Sequence, residues 1–252
     1  MRIHIIACRV FTRELSALIA DCENDIDVTW LPQGMHDTPV ILHDFLEEKL
    51  KELYTQIGKK QQRRIPDYIV LGYGLCSKSI VGLEAKDIPL VVPRTDDCIA
   101  LFLGSQKRYL DYFHKYQGTY WLNSRWVTEI PDLDEDYDEQ LRKEYMEQYD
   151  DEDTVEYLME MHDEALKNYK YVGYIGTDTY CDERERAAAR NYADRKGFTF
   201  FEKDGDNRLL KAIVSGNFND DEFLVVPPGH RIEFSSGPEK VIAVNCSAGD
   251  TC

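Results

Sequence analysis

No stretch of this 252-residue sequence approaches the ~18 consecutive apolar residues of a membrane span. Basic charge is also scarce, with 30 Lys and Arg against 47 Asp and Glu. The first shortage predicts a chain that does not cross a membrane. The second argues against a nucleic-acid partner, because proteins that grip a phosphate backbone present a basic face to it. Low-complexity sequence is missing too: 43% hydrophobic residues with 15 Gly and 9 Pro is ordinary globular usage. The run Ile3 to Ala7 is too short for a signal-peptide core, so a cytoplasmic protein is expected. There is no C-x-x-C pair, no G-x-G-x-x-G, no phosphate loop and no G-x-S-x-G. Ready-made zinc-ribbon, ferredoxin, dinucleotide and serine-hydrolase readings therefore lack support.

The acidity that is present is local. Between Glu129 and Glu164 there are seventeen acidic residues against Arg142 and Lys143, so most of the net charge of −17 belongs to that one segment. Tyr137, Leu141, Tyr145 and Tyr149 recur every four residues, and Val155, Leu158, Met159, His162 and Leu166 continue at helical spacing. Two acidic amphipathic helices broken near Asp150 to Asp153 are expected. A solvated face is the plain reading of such helices; a lid, or a docking surface for a basic partner, is the sharper one.

On either side of this segment, apolar runs alternate with helical patterns. Arg2 to Ala7, Asp25 to Trp30, Asp67 to Leu71 and Ile88 to Val92 read as strands, with helices over Thr12 to Ala20 and after Asp37-Thr-Pro39. The later chain repeats the plan: strand Tyr171 to Ile175, helix Asp182 to Lys196 ending at Gly197, strand Phe198 to Phe201, helix Asn207 to Val214, strand Glu222 to Val226, and a final strand Lys240 to Val244. Alternation of this kind predicts an α/β fold of two Rossmann-like halves with mainly parallel sheets. The expected divisions are 1–117, an aromatic linker and acidic helical insertion over 118–168, and 169–252, with Gly34 and Gly205 in equivalent turns.

In open α/β sheets ligands bind beyond the carboxyl ends of the strands. Three cysteines fall there: Cys8 after the first strand, Cys76 after the third in Gly72-Tyr-Gly-Leu-Cys76, and Cys98 after the fourth in Pro93-Arg-Thr-Asp-Asp-Cys98. One cysteine alone is ordinarily a small buried hydrophobe. Three at equivalent strand ends predict a site whose thiolates hold a metal ion or an iron–sulfur cluster, with sulfurs roughly 4 Å apart if they share one ion. His36, Gly74, Arg94 and Asp97 lie at the same ends and are expected to line the pocket, with His36 or Cys246 as candidate fourth ligands. Seven cysteines is an odd number, and structural disulfides are not expected. Cys22 and Cys181 are read as structural, and Cys252 as part of a Gly-containing tail.

Leu31-Pro-Gln-Gly-Met-His-Asp-Thr-Pro39, Leu71-Gly-Tyr-Gly-Leu-Cys76 with Gly82-Leu83, Val92-Pro-Arg94 with Asp97-Cys-Ile99 and Leu103-Gly-Ser105, and Gly118-Thr-Tyr-Trp121 together resemble the bacterial and archaeal domain of unknown function family numbered 1638. Looser likeness continues through Asp204-Gly-Asp206 and Pro228-Gly229. The resemblance implies a histidine before the Asp-Cys pair, where this chain has Asp96. It also implies association with corrinoid-dependent methyl transfer, and so a corrinoid as a further candidate cofactor. Two other functions fit the sequence: a cofactor-free cysteine enzyme acting on a small molecule, and a non-catalytic accessory protein docking through its acidic segment.

Overall fold

The computed structural model describes residues 1–58, 65–134 and 136–246. The chain divides into two compact units: unit 1 is Met1–Tyr109 together with Asp206–Cys252, and unit 2 is Leu110–Gly205.

Unit 1 begins with β1 (Arg2–Cys8), α1 (Thr12–Ala20), β2 (Asp25–Leu31), α2 (Pro39–Gly58), β3 (Tyr68–Gly72), β4 (Glu84–Ala85), β5 (Leu90–Pro93) and α3 (Cys98–Phe102). From Ile3 onward every residue of β1 is buried, as are Ile69 to Gly72 and all of β5. Near-continuous apolar strands of this kind suit a parallel sheet covered on both faces, and β2-β1-β3-β5 is indeed parallel. The pairing of β1 with β3 sets Ala7 opposite Gly72, and a Cβ on Gly72 would come within 2.8 Å of the Ala7 Cβ. Glycine is what lets the two strand ends close up there.

Helix α4 (Gln106–Lys115) carries the chain into unit 2, which holds β6 (Thr119–Asn123), α5 (Ser124–Glu129), α6 (Tyr137–Tyr149), α7 (Glu152–Leu166), β7 (Tyr171–Gly176), α8 (Glu183–Lys196) and β8 (Thr199–Asp204). Its sheet is β6-β7-β8, all parallel. The acidic segment forms the expected pair of helices. Asp150 takes a left-handed backbone at the end of α6, and Asp151 caps α7 through the Thr154 amide. Gly197 closes α8 in the left-handed region, as the sequence predicts.

The chain then returns to unit 1 with α9 (Arg208–Ser215), β9 (Phe223–Val226), β10 (His230–Phe234) and β11 (Val241–Asn245). The expected boundaries at 117/118 and 168/169 differ from this division. Residues 206–252 do not share a unit with β7 and β8, because β9 pairs antiparallel with β5 and completes the five-stranded sheet. The aromatic stretch after Gly118, expected as a linker, is the edge strand β6. Gly34 has φ +83°, whereas Gly205 is not among the left-handed glycines, so the two turns are not alike. Strands β11-β10-β4 form a separate antiparallel sheet. No helix among the described residues is long and apolar enough to cross a membrane.

Candidate functional site

Adjacent strands lie about 4.8 Å apart, so the order β1-β3-β5 spaces the ends that carry Cys8, Cys76 and Cys98 across two strand intervals. Side chains and loops must span the rest. The loop after β3 is tied to the loop after β5 by backbone hydrogen bonds: the Leu75 amide donates to the Thr95 carbonyl (2.7 Å) and the Cys76 amide to the Asp96 carbonyl (2.9 Å). Gly74 makes that approach possible, since a Cβ there would sit 2.8 Å from both the Asp97 nitrogen and the Thr95 oxygen. From the other side, Phe11, just past Cys8, stacks on Phe102 of α3 at 4.6 Å. The packing therefore draws the segment bearing Cys98 toward the end of β1.

Cys76 itself has φ +43° and Lys78 φ +70°, a left-handed conformation that costs a residue with a Cβ about 1–2 kcal/mol. The turn is held by the Ser79 hydroxyl, which donates to the Cys76 carbonyl at 2.7 Å. Strain of this size persists where the surroundings over-determine the backbone, and it clusters at functional sites.

The three thiols feel one another. Burial, and then the negative charges of Asp97 and Cys8, push the Cys76 thiol up to about 12. Burial also raises Cys98 well above its ordinary value, helped by Asp97, Cys76 and Cys8. Between them lies Tyr73, 4% exposed, whose phenol is raised first by burial and then by all three cysteines. Among the described residues its hydroxyl has no hydrogen-bond partner, and neither has the Thr95 hydroxyl. Burial makes these surroundings hostile to negative charge, which keeps Cys76 and Cys98 as neutral thiols at neutral pH.

One expectation fails in detail. Among the described residues, the only three candidate ligand atoms that all lie within 4.8 Å of one another come from Asp132, Asp138 and His162. At least one pair of the three sulfurs is therefore farther apart than that, too far to share a single ion as they stand. Strand spacing is the physical reason, because Cys8 and Cys98 follow strands separated by β3. The Asp132 group already has its cation: Lys196 Nζ lies 3.5 Å from Asp132 and 3.2 Å from Asp138, and the Tyr192 hydroxyl donates to Asp132.

The other residues expected to line the pocket have different tasks. Asp97 caps α3, accepting from the Ile99 and Ala100 amides (2.9 and 3.3 Å), and its carboxyl is raised by burial against those bonds and one from Tyr109. It positions Cys98 in the first turn. Gly74 serves loop packing, not approach of a ligand. Arg94 points its guanidinium at backbone carbonyls, those of Asp220, Phe223, Glu239 and Val241. His36 remains at the surface in the turn after β2, 3.4 Å from Asp37. Asp96, standing where the resemblance implies a histidine, is held by Gln106 and Lys240.

Cys246 lies beyond β11, its thiol raised by burial and Glu84. The Cys22 thiol donates to the Val214 carbonyl and Cys181 is exposed, while Cys252 is outside the described residues. Tyr73 escaped sequence reasoning because an aromatic between two glycines reads as a turn; its one available signal was its place immediately after a buried strand.

No curated protein and no solved structure matches the chain. A family model does match, over residues 30–214, a span that begins after Cys8 and includes Tyr73, Cys76 and Cys98, and the chain accordingly belongs to the family described as Protein of unknown function (DUF1638).

Proposed function

We propose that this protein binds an iron–sulfur cluster or a related multinuclear metal centre through Cys8, Cys76 and Cys98. The observation that carries the reading is the convergence of three mutually interacting thiols on one sheet edge around the unpartnered Tyr73 hydroxyl. A single zinc or iron ion with ~2.3 Å bonds to sulfur brings its thiolates within roughly 4 Å of one another. In a cubane-type cluster each thiolate ligates a different metal atom, so the sulfurs stand farther apart, which suits the wider spacing here. Three cysteines leave one metal position for a fourth ligand or a small molecule. Corrinoid-dependent methyl transfer, implied by the family resemblance, is a setting that needs such a redox centre.

A cofactor-free cysteine enzyme is less well supported, because the raised thiols of Cys76 and Cys98 are poor nucleophiles at neutral pH. The accessory reading draws on α6 and α7, where Met146, Tyr149, Tyr157 and Met161 are exposed among the acidic residues.

Protein purified without oxygen, or reconstituted with ferrous iron and sulfide, is expected to carry both elements and a visible absorption band. Cys8→Ser, Cys76→Ser and Cys98→Ser should each sharply lower iron per chain, while Cys22→Ser and Cys181→Ser leave it at the parent value. Parent protein that folds but takes up neither iron nor any other metal would sink the proposal.

A further inference from the structure

The β1–β3 register ends with Ala7 opposite Gly72, so the next residues along the two strands are Cys8 and Tyr73. Tyr73 is buried at 4% exposure, its hydroxyl makes no hydrogen bond among the described residues, and it is within electrostatic reach of Cys8, Cys76 and Cys98. More than nine in ten buried polar groups find a partner, and one that does not costs about 1–3 kcal/mol. Phenylalanine would fill the same volume without that cost. Among the described residues no thiol or other acceptor lies within hydrogen-bonding reach of this hydroxyl, and a neutral thiol is in any case a weak acceptor. Metal-bound thiolate or sulfide carries negative charge and accepts far better.

We infer that the Tyr73 hydroxyl donates a hydrogen bond to sulfur of the bound metal centre, making it a positioning and tuning residue of the site. The inference rests on the metal-centre proposal above. It gives an otherwise unpartnered phenol its acceptor, and it predicts that one hydroxyl changes sign in its effect on the protein. The group is neutral or unfavourable in the empty fold and stabilising in the loaded one. Hydrogen bonds to cluster sulfur also raise the reduction potential, so the donor sets the electronics of the centre as well as its retention.

The test compares the full chain with Tyr73→Phe, each metal-free and after anaerobic reconstitution with ferrous iron and sulfide. Metal-free Tyr73→Phe should resist urea at least as well as the parent. Reconstituted Tyr73→Phe should hold as much iron as the parent, release it to a chelator about ten- to a hundred-fold faster, and show a more negative midpoint potential. Three results overturn the inference. A metal-free Tyr73→Phe protein that is clearly weaker, or fails to fold, means the hydroxyl has a partner in the empty protein. Loaded variant and parent with the same release rate and potential mean it makes no bond to the centre, with the metal-centre proposal intact. A parent that takes up no iron removes the metal-centre proposal and the donor role with it, and that result is read from the parent alone.

Discussion

Cys76 carries a conflict between backbone and chemistry. Its φ of +43° suits glycine, yet the proposed metal centre calls for a thiol there. Replacing it by alanine keeps the Cβ and its strain, whereas glycine releases the strain. Cys76→Gly is therefore expected to be more stable than Cys76→Ala by about 1 kcal/mol, the reverse of the usual order of those residues. Urea unfolding of the two variants measures this, and an alanine variant equal or superior to the glycine one would mean the turn is not strained. The three cysteines stood out in the sequence because each lies at the end of an apolar strand or in the loop that follows one. The true roles of Gly74, Arg94 and Asp97 were not, because each is fixed by atoms of another loop or strand: Thr95 for Gly74, residues 220–241 for Arg94, and Tyr109 besides the local cap for Asp97.

Among the elements, β4, β6 and β10 were not recognised as strands, and those that were recognised proved hard to assign to a sheet. Periodicity marks Phe223–Val226 as buried, but nothing in its pattern says that it pairs antiparallel with β5 instead of extending the sheet of β7 and β8. Arg94 is the tie that such a pattern does not display. One guanidinium reaches carbonyls before and within β9 and on both sides of Lys240 at the start of β11. Removing it takes this donor from the partly buried oxygens of Phe223 and Val241 and leaves the exposed ones of Asp220 and Glu239 to water, so Arg94→Ala should lose about 2–3 kcal/mol of stability. Because Arg94 faces these strands and not the thiols, the variant that remains folded should bind parental amounts of iron. Loss of iron with unchanged stability would return Arg94 to the pocket.

For the whole molecule, unit 2 is an insertion running from Leu110 to Gly205, and Cys8, Cys76 and Cys98 all belong to unit 1. The repeating strand–helix rhythm was read correctly as α/β, but a rhythm does not reveal that the chain leaves one sheet, builds another and comes back. A ligand that binds only the folded form stabilises the region whose opening releases it. Metal loading is accordingly expected to slow amide hydrogen exchange in β1, β3 and β5, with β6, β7 and β8 unchanged. Equal protection of both sheets would show that the site draws on unit 2.

The late arrival of β9 sets an order of events during synthesis. All three thiols have been made once Cys98 is added, yet the edge of β5 stays open until residues 223–226 emerge, and the carbonyls that Arg94 holds come from still later in the chain. At roughly 5–20 residues per second, that interval lasts on the order of ten seconds. Through it the nascent protein exposes reactive sulfur beside an unpaired strand, a combination open to mispairing and to oxidation. Under the metal-centre proposal, insertion is therefore expected to be a step for the finished polypeptide, and overproduction faster than metal supply should yield empty chains that are correctly folded, not chains trapped on the ribosome.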